Sequence, residues 1–139
     1  RQAMDREMSG AFLIARSEGF IAGRPDLDET IKRLTAFAEA GADCLFAPGI
    51  RTEEQISAIV NAVAPKPVNV LVSAPFITVE RLAELGVRRV SVGGALARAA
   101  WGGFLRAAKQ IAEEGRFDEF TNAAPGAELN SFFNGDRRK

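Results

Sequence analysis

Arg16, Ser17 and Glu18 close the first apolar run of the chain, Ala-Phe-Leu-Ile-Ala at 11–15. A guanidinium at the end of such a run must meet an anion, because burying an unpaired charge is costly. Its planar fork suits bidentate binding of a carboxylate or phosphate. Two partners satisfy that need: a bound anion, or an internal ion pair with Glu18 or another carboxylate. Gly93 and Gly94 follow a later apolar run that contains Ser91. Glycines there let a ligand approach the backbone, and the helix that follows offers free N–H groups to an anion. A tight strand-to-helix turn without a ligand needs the same residues. Asn69 stands near the start of a third run, as a substrate ligand or as a core amide with its own partners. Ser73 follows that run. The candidate substrate-binding residues are therefore Arg16, Ser17, Glu18, Asn69, Ser73, Gly93 and Gly94, and no catalytic residue stands out.

Other chemistries find little support. The chain has no histidine, which excludes Ser-His-Asp catalysis and histidine-containing zinc sites. Its one cysteine, Cys44, lies in the apolar run Cys-Leu-Phe-Ala with no base to activate it, and is expected to be a core thiol. A Mg²⁺ site wants several oxygen ligands, and Glu18 is the one carboxylate placed clearly at a strand end. Asp43 begins a strand, at the opposite end from a site. Lys plus Arg and Asp plus Glu are 18 each, so the net charge is zero. That balance argues against a nucleic-acid or anionic-membrane surface, and the basic cluster Arg137, Arg138 and Lys139 reads as a solvated tail. With no signal peptide and no apolar run of about 20 residues, a cytoplasmic location is expected.

The elements that must position these residues alternate. Apolar runs at 11–15, 43–47, 68–72 and 88–92 are continuous, as in parallel strands buried on both faces. Helical stretches separate them. Ile31, Leu34, Phe37 and Ala38 form a stripe over 28–40, closed by Gly41. Thr52 and Gln55 form a capping box for 52–64, whose apolar face is Ile56, Ile59, Val60 and Val63. Thr78 caps a third helix through Leu85, stopped by Gly86, and a fourth spans about 95–114. Pro125 precedes a tail with Leu129, Phe132 and Phe133. Residues 1–10 read as the end of a helix feeding the first strand. In such β/α chains the reactive groups gather at the C-terminal ends of the strands. The long connection from Glu18 to Asp28 could cover a site or meet a neighbouring subunit. Asp26 and Asp28 are explained by capping and by the helix dipole. The chain of 139 residues is short for a complete barrel of roughly 250. The fold class expected is α/β: parallel β/α units forming the C-terminal half of a (β/α)8 barrel. Residues 1–139 would make one partial domain, with a helical tail from about 116. An open four-stranded sheet is the alternative.

The stretch Phe12 to Glu18 (FLIARSE) resembles the fifth-strand ARTD/ARTE segment of the isocitrate lyase/phosphoenolpyruvate mutase superfamily. The likeness continues through Gly23 to Thr30 (GRPDLDET), Glu39 to Asp43 (EAGAD) and Gly86 to Gly94 (GVRRVSVGG), and covers approximately 9–121. It is strongest to the phosphonomutase-like branch. The resemblance implies an enzyme that makes or breaks C–C or P–C bonds beside a carboxylate, through a pyruvate enolate stabilised by Mg²⁺. Isocitrate, 2-methylisocitrate, oxaloacetate and phosphonopyruvate are the implied kinds of substrate. By the matching motif, Arg16 would bind the substrate carboxylate or phosphonate, and Gly93 and Gly94 would shape the last loop. Lyases of the group often carry a Glu where this chain has Ala47-Pro48-Gly49, and either Asn69 or Ser73 could take the role of the substrate asparagine. The implied metal ligands and catalytic lid belong to earlier strands, so Mg²⁺ would be held by residues outside this chain, which alone is expected to be inactive. Homo-oligomers are implied, with Trp101 to Phe133 available for subunit contacts. The alternative is a noncatalytic, self-associating half-barrel that binds small anions.

Overall fold

Helix starts in this chain are set by side chains that accept the amide hydrogens a first turn leaves open. In a computed structural model, which describes residues 1–8 and 10–133, Asp26 accepts from the Glu29 amide and opens α2 (Leu27–Glu39). Thr52 and Gln55 form the expected capping box at the start of α3 (Glu53–Val63). Thr78 accepts from the Arg81 amide and opens α4 (Val79–Glu84). The stops are as specific. Gly41 has φ +95°, and the Ala42 amide reaches back to the Phe37 carbonyl at 3.0 Å. That left-handed residue with its backward hydrogen bond is the Schellman termination, which glycine favours.

Between the helices run β1 (Ile14–Arg16), β2 (Cys44–Phe46), β3 (Val68–Leu71) and β4 (Arg89–Ser91), all parallel and in the order β1-β2-β3-β4. Sequential order with right-handed crossovers puts the intervening helices on one face of the sheet. Leu45, Val68 and Val70 pack there with Leu34, Ile56, Ile59 and Leu82 in one buried cluster. Cys44 is buried, and burial pushes its thiol pKa up, partly offset by the charge of Arg89. It is the core thiol that the sequence suggests.

All four strands are shorter than the apolar runs suggest, and the first differs most. The first strand begins at Ile14 rather than 11, because Leu13 is claimed by Asp43 instead of by the ladder. The Leu13 amide donates to Asp43 Oδ2 at 2.8 Å, and the Leu13 carbonyl accepts from the Asp43 amide at 2.9 Å. Asp43 Oδ2 also receives Arg1 Nη1 at 2.6 Å. These donors hold the Asp43 carboxyl below its usual range, the Leu13 amide foremost. Asp43 thus fastens the entry of β2.

Packing divides the chain into two compact units, Arg1–Gly93 and Gly94–Lys139. The first holds the sheet together with α1 (Gln2–Glu7), α2, α3 and α4. The second holds α5 (Ala95–Glu114), a 3-10 turn (Asp118–Asn122) and α6 (Gly126–Phe133). Gly115, with φ +66°, ends α5, and the Glu119 amide donates to Gln110 Oε1 at 3.1 Å. Trp101 and Phe104 stack edge-to-face in this unit, and both are exposed, as are Leu105, Phe117, Phe132 and Phe133. No helix of the described residues is long and apolar enough to cross a membrane. The basic cluster Arg137, Arg138 and Lys139 lies outside the described residues.

Candidate functional site

The end of β1 brings Arg16, Ser17 and Glu18 together as expected, with Arg16 as the last strand residue rather than the first of the loop. Side chains alternate along a strand, so Arg16 and Ser17 face opposite ways. Arg16 lies on the sheet face opposite α2–α4, in register with Phe46 on β2, and its guanidinium sits 4.9 Å from the Phe46 ring centroid. Its Nε donates to Glu18 Oε1 at 2.7 Å. Among the described residues the two terminal nitrogens of Arg16 have no hydrogen-bond partner, which leaves one edge of the fork open. Both members of the Arg16–Glu18 pair are about half exposed, at 49% and 48%. Such a surface pair is worth about 0–1 kcal/mol, so Glu18 holds Arg16 only lightly.

Ser17 points the other way and is buried. Its amide donates to the Phe46 carbonyl at 2.9 Å, which extends the strand pairing beyond Arg16. With Thr30, Arg24 and Arg33 it lines a cleft of about 360 Å³ between the β1 end and the start of α2. The loop that roofs this cleft is folded on itself. The Ala22 amide donates to the Glu18 carbonyl and the Arg24 amide to the Gly19 carbonyl, each at 2.9 Å. Asp26 caps α2, as its position suggests, whereas Asp28 lies within the first turn rather than ahead of it.

Asn69 is wholly buried in β3, and both ends of its amide are satisfied. Nδ2 donates to Ser91 Oγ at 2.9 Å and Oδ1 accepts from Arg89 Nη1 at 3.4 Å. Of the two roles open to Asn69, the satisfied core amide is the one its contacts display. Ser73 lies two residues past β3 and is partly buried. Gly93 follows β4 with φ +53°, a left-handed turn that suits glycine, and a Cβ there would meet Leu71 Cδ1 at 3.4 Å. Gly93 ends the first unit, and Gly94 opens the second as the N-cap of α5. β1 and β4 are the two edges of the sheet, so Arg16 and Gly93 are separated by roughly 14 Å of strand spacing.

Two members of this face were not among the sequence candidates: Phe46, which carries Arg16, and Arg89. The signal for Arg89 is parity, since Arg89, Ser91 and Gly93 fall on one face of their strand. A divalent cation finds no seat here. Among the described residues no group of three or more His, Cys, Asp or Glu could hold one. Glu18 is bound to Arg16, so the residues present do not fit a Mg²⁺ site.

Sequential parallel β/α units, with polar groups gathered at the strand ends, give this chain the fold of about half of a (β/α)8 barrel. It belongs to the phosphoenolpyruvate phosphomutase family, whose model matches residues 1–112. Similar solved structures include a candidate lyase/mutase from Burkholderia cenocepacia J2315, 46% identical with a TM-score of 0.89, covering 96% of this chain and 49% of that one. Oxaloacetate acetylhydrolase, solved with its product oxalate, is 25% identical with a TM-score of 0.74, covering 97% of this chain and 50% of that one. Among curated proteins, the uncharacterized Rv1998c of Mycobacterium tuberculosis is 31% identical over 106 residues, which are 76% of this chain and 39% of the relative. The chain therefore spans half or less of the length of each of these three proteins.

Proposed function

We propose that residues 1–139 form one partial domain that supplies the anion-binding wall of a Mg²⁺-dependent lyase or mutase site and does not turn over substrate alone. The substrate is a small 2-oxo or 2-hydroxy carboxylate, or a phosphonate analogue, whose C–C or P–C bond is made or broken through a pyruvate enolate. The observation that carries this reading is the Arg16 guanidinium, braced on Phe46 and with an open edge at the end of a strand. An arriving carboxylate gains a charge-assisted, bidentate contact there, while the weak Glu18 pair costs little to displace. Ser17, Glu18, Ser73 and Gly93 shape the surrounding strand ends, Asn69 braces them from within the core, and Gly94 continues the Gly93 turn in sequence. Mg²⁺ belongs to this reading as a family expectation, with ligands from outside these 139 residues. We place the protein in the cytoplasm, acting on small molecules rather than on nucleic acid or membrane. The exposed aromatic residues of the second unit support self-association into a homo-oligomer. The same exposure favours, as a second reading, a noncatalytic half-barrel that self-associates and binds small anions.

The test is a calorimetric titration of oxalate into the chain. Charged hydrogen bonds are worth about 1.5–3 kcal/mol, so Arg16→Ala should weaken binding roughly 10- to 150-fold. Equal binding by the wild-type chain and Arg16→Ala, or no binding by the wild-type chain, would remove Arg16 from the site.

A further inference from the structure

A single register row crosses the whole sheet: Arg16 pairs with Phe46, Phe46 with Asn69, and Asn69 with Arg89. All four side chains lie on the face turned away from α2–α4, since residues paired across parallel strands share a face. The row thus has a guanidinium at each end. Both lean inward, Arg16 over the Phe46 ring and Arg89 toward the Asn69 amide. Arg16 has Glu18 beside it. Arg89 has no carboxylate within ion-pair distance among the described residues, and its one hydrogen bond to a side chain is the long contact to Asn69 Oδ1 at 3.4 Å. Asn69 is in turn fixed by Ser91, so the acceptor that steers Arg89 cannot rotate away. A neutral amide orients a guanidinium without neutralising it. Closing this face over Arg89 would leave a buried cation unpaired, at a cost of several kcal/mol, unless an anion accompanies it.

We propose that Arg89 is a second anion contact of the same site, and the residue that makes it prefer small dianions to monoanions. This rests on the assignment of Arg16 as the first contact. One carboxylate of the ligand meets Arg16 and the other anionic group meets Arg89, while the buried Phe46 and Asn69 hold the two guanidiniums in place from beneath. A ligand with a single negative charge satisfies one end of the row and leaves the other unpaired.

Malate and lactate separate the two contacts, because both carry a 2-hydroxy carboxylate and differ in the second carboxylate. Titrated into the wild-type chain, malate should bind at least about tenfold more tightly than lactate, the value of one charge-assisted contact. Arg89→Gln should lose that preference and leave lactate affinity within about twofold. Arg89→Lys should keep most of the preference, and Arg16→Ala should weaken both ligands. Far-UV circular dichroism checks each fold, and Arg89→Met, which keeps the aliphatic stem, replaces Arg89→Gln if that variant unfolds. A malate preference that survives removal of the Arg89 charge, with Arg16→Ala still impaired, overturns the role of Arg89 and leaves Arg16 in place. Equal weakening of malate and lactate in the Arg89 variants would mark a structural role and overturn it as well. No binding of malate to the wild-type chain would overturn both assignments.

Discussion

Leu45→Ala should destabilise the sheet-bearing unit by about 2–5 kcal/mol, the range for removing a fully buried leucine and leaving a cavity. Leu45 has no exposed surface and stands in the middle of β2, opposite Ala15 on one side and Val68 on the other. Its side chain belongs to the cluster that joins β2 and β3 to Leu34 of α2 and to Ile56 and Ile59 of α3. Neighbours from three elements cannot all collapse into the space, so the upper part of the range is expected. A domain of this size has about 5–15 kcal/mol in hand, so the variant stands near the limit of folding. Urea denaturation followed by circular dichroism measures the effect. A change below about 1 kcal/mol would mean that β2 is not the centre of the core.

Gly49→Ala is the second large effect, at roughly 2–4 kcal/mol, from backbone strain plus overpacking. Gly49 has φ +99°, where an L side chain is strained. A Cβ would also lie 2.9 Å from Phe20 Cβ, 2.9 Å from Ile21 Cγ2 and 3.2 Å from the Ile21 amide nitrogen. Ile21 could turn aside, but Phe20 Cβ and the Ile21 backbone move only if the loop lifts. That loop begins at Glu18, so the damage should reach the Arg16 pair as well as the fold. Limited proteolysis should cut the variant near Phe20 to Arg24 faster than the wild-type chain, and urea should unfold it earlier. Unchanged proteolysis and stability would show that the loop does not rest on the Pro48–Gly49 turn.

Helices were far easier to read in this sequence than the site. Their boundaries are written in local chemistry: the Thr52–Gln55 box, the Thr78 cap, and glycines at 41 and 86 that take the left-handed turn. Strand centres were legible from apolar runs, but strand edges were not. Nothing local reveals that the Asp43 carboxylate, 30 residues away, takes the Leu13 amide and shortens the first strand. The site shows the same division. Arg16 and Glu18 are near neighbours in the chain, so their pairing was open to sequence reasoning, and it is the one present. The row through Phe46, Asn69 and Arg89 depends on register between strands 20 or more residues apart, which apolar runs do not encode. Parity alone could have placed Arg89 beside Ser91 on one face. It could not have shown that Asn69 reaches both.

The most direct test of this account is Mg²⁺-dependent turnover by the 139-residue chain on oxaloacetate, 2-methylisocitrate and phosphonopyruvate, with Arg16→Ala as control. An anion-binding wall without a metal seat should give no turnover above the metal-only background on any of the three. Turnover that disappears in Arg16→Ala would contradict it, because these residues would then assemble a complete catalytic site by themselves.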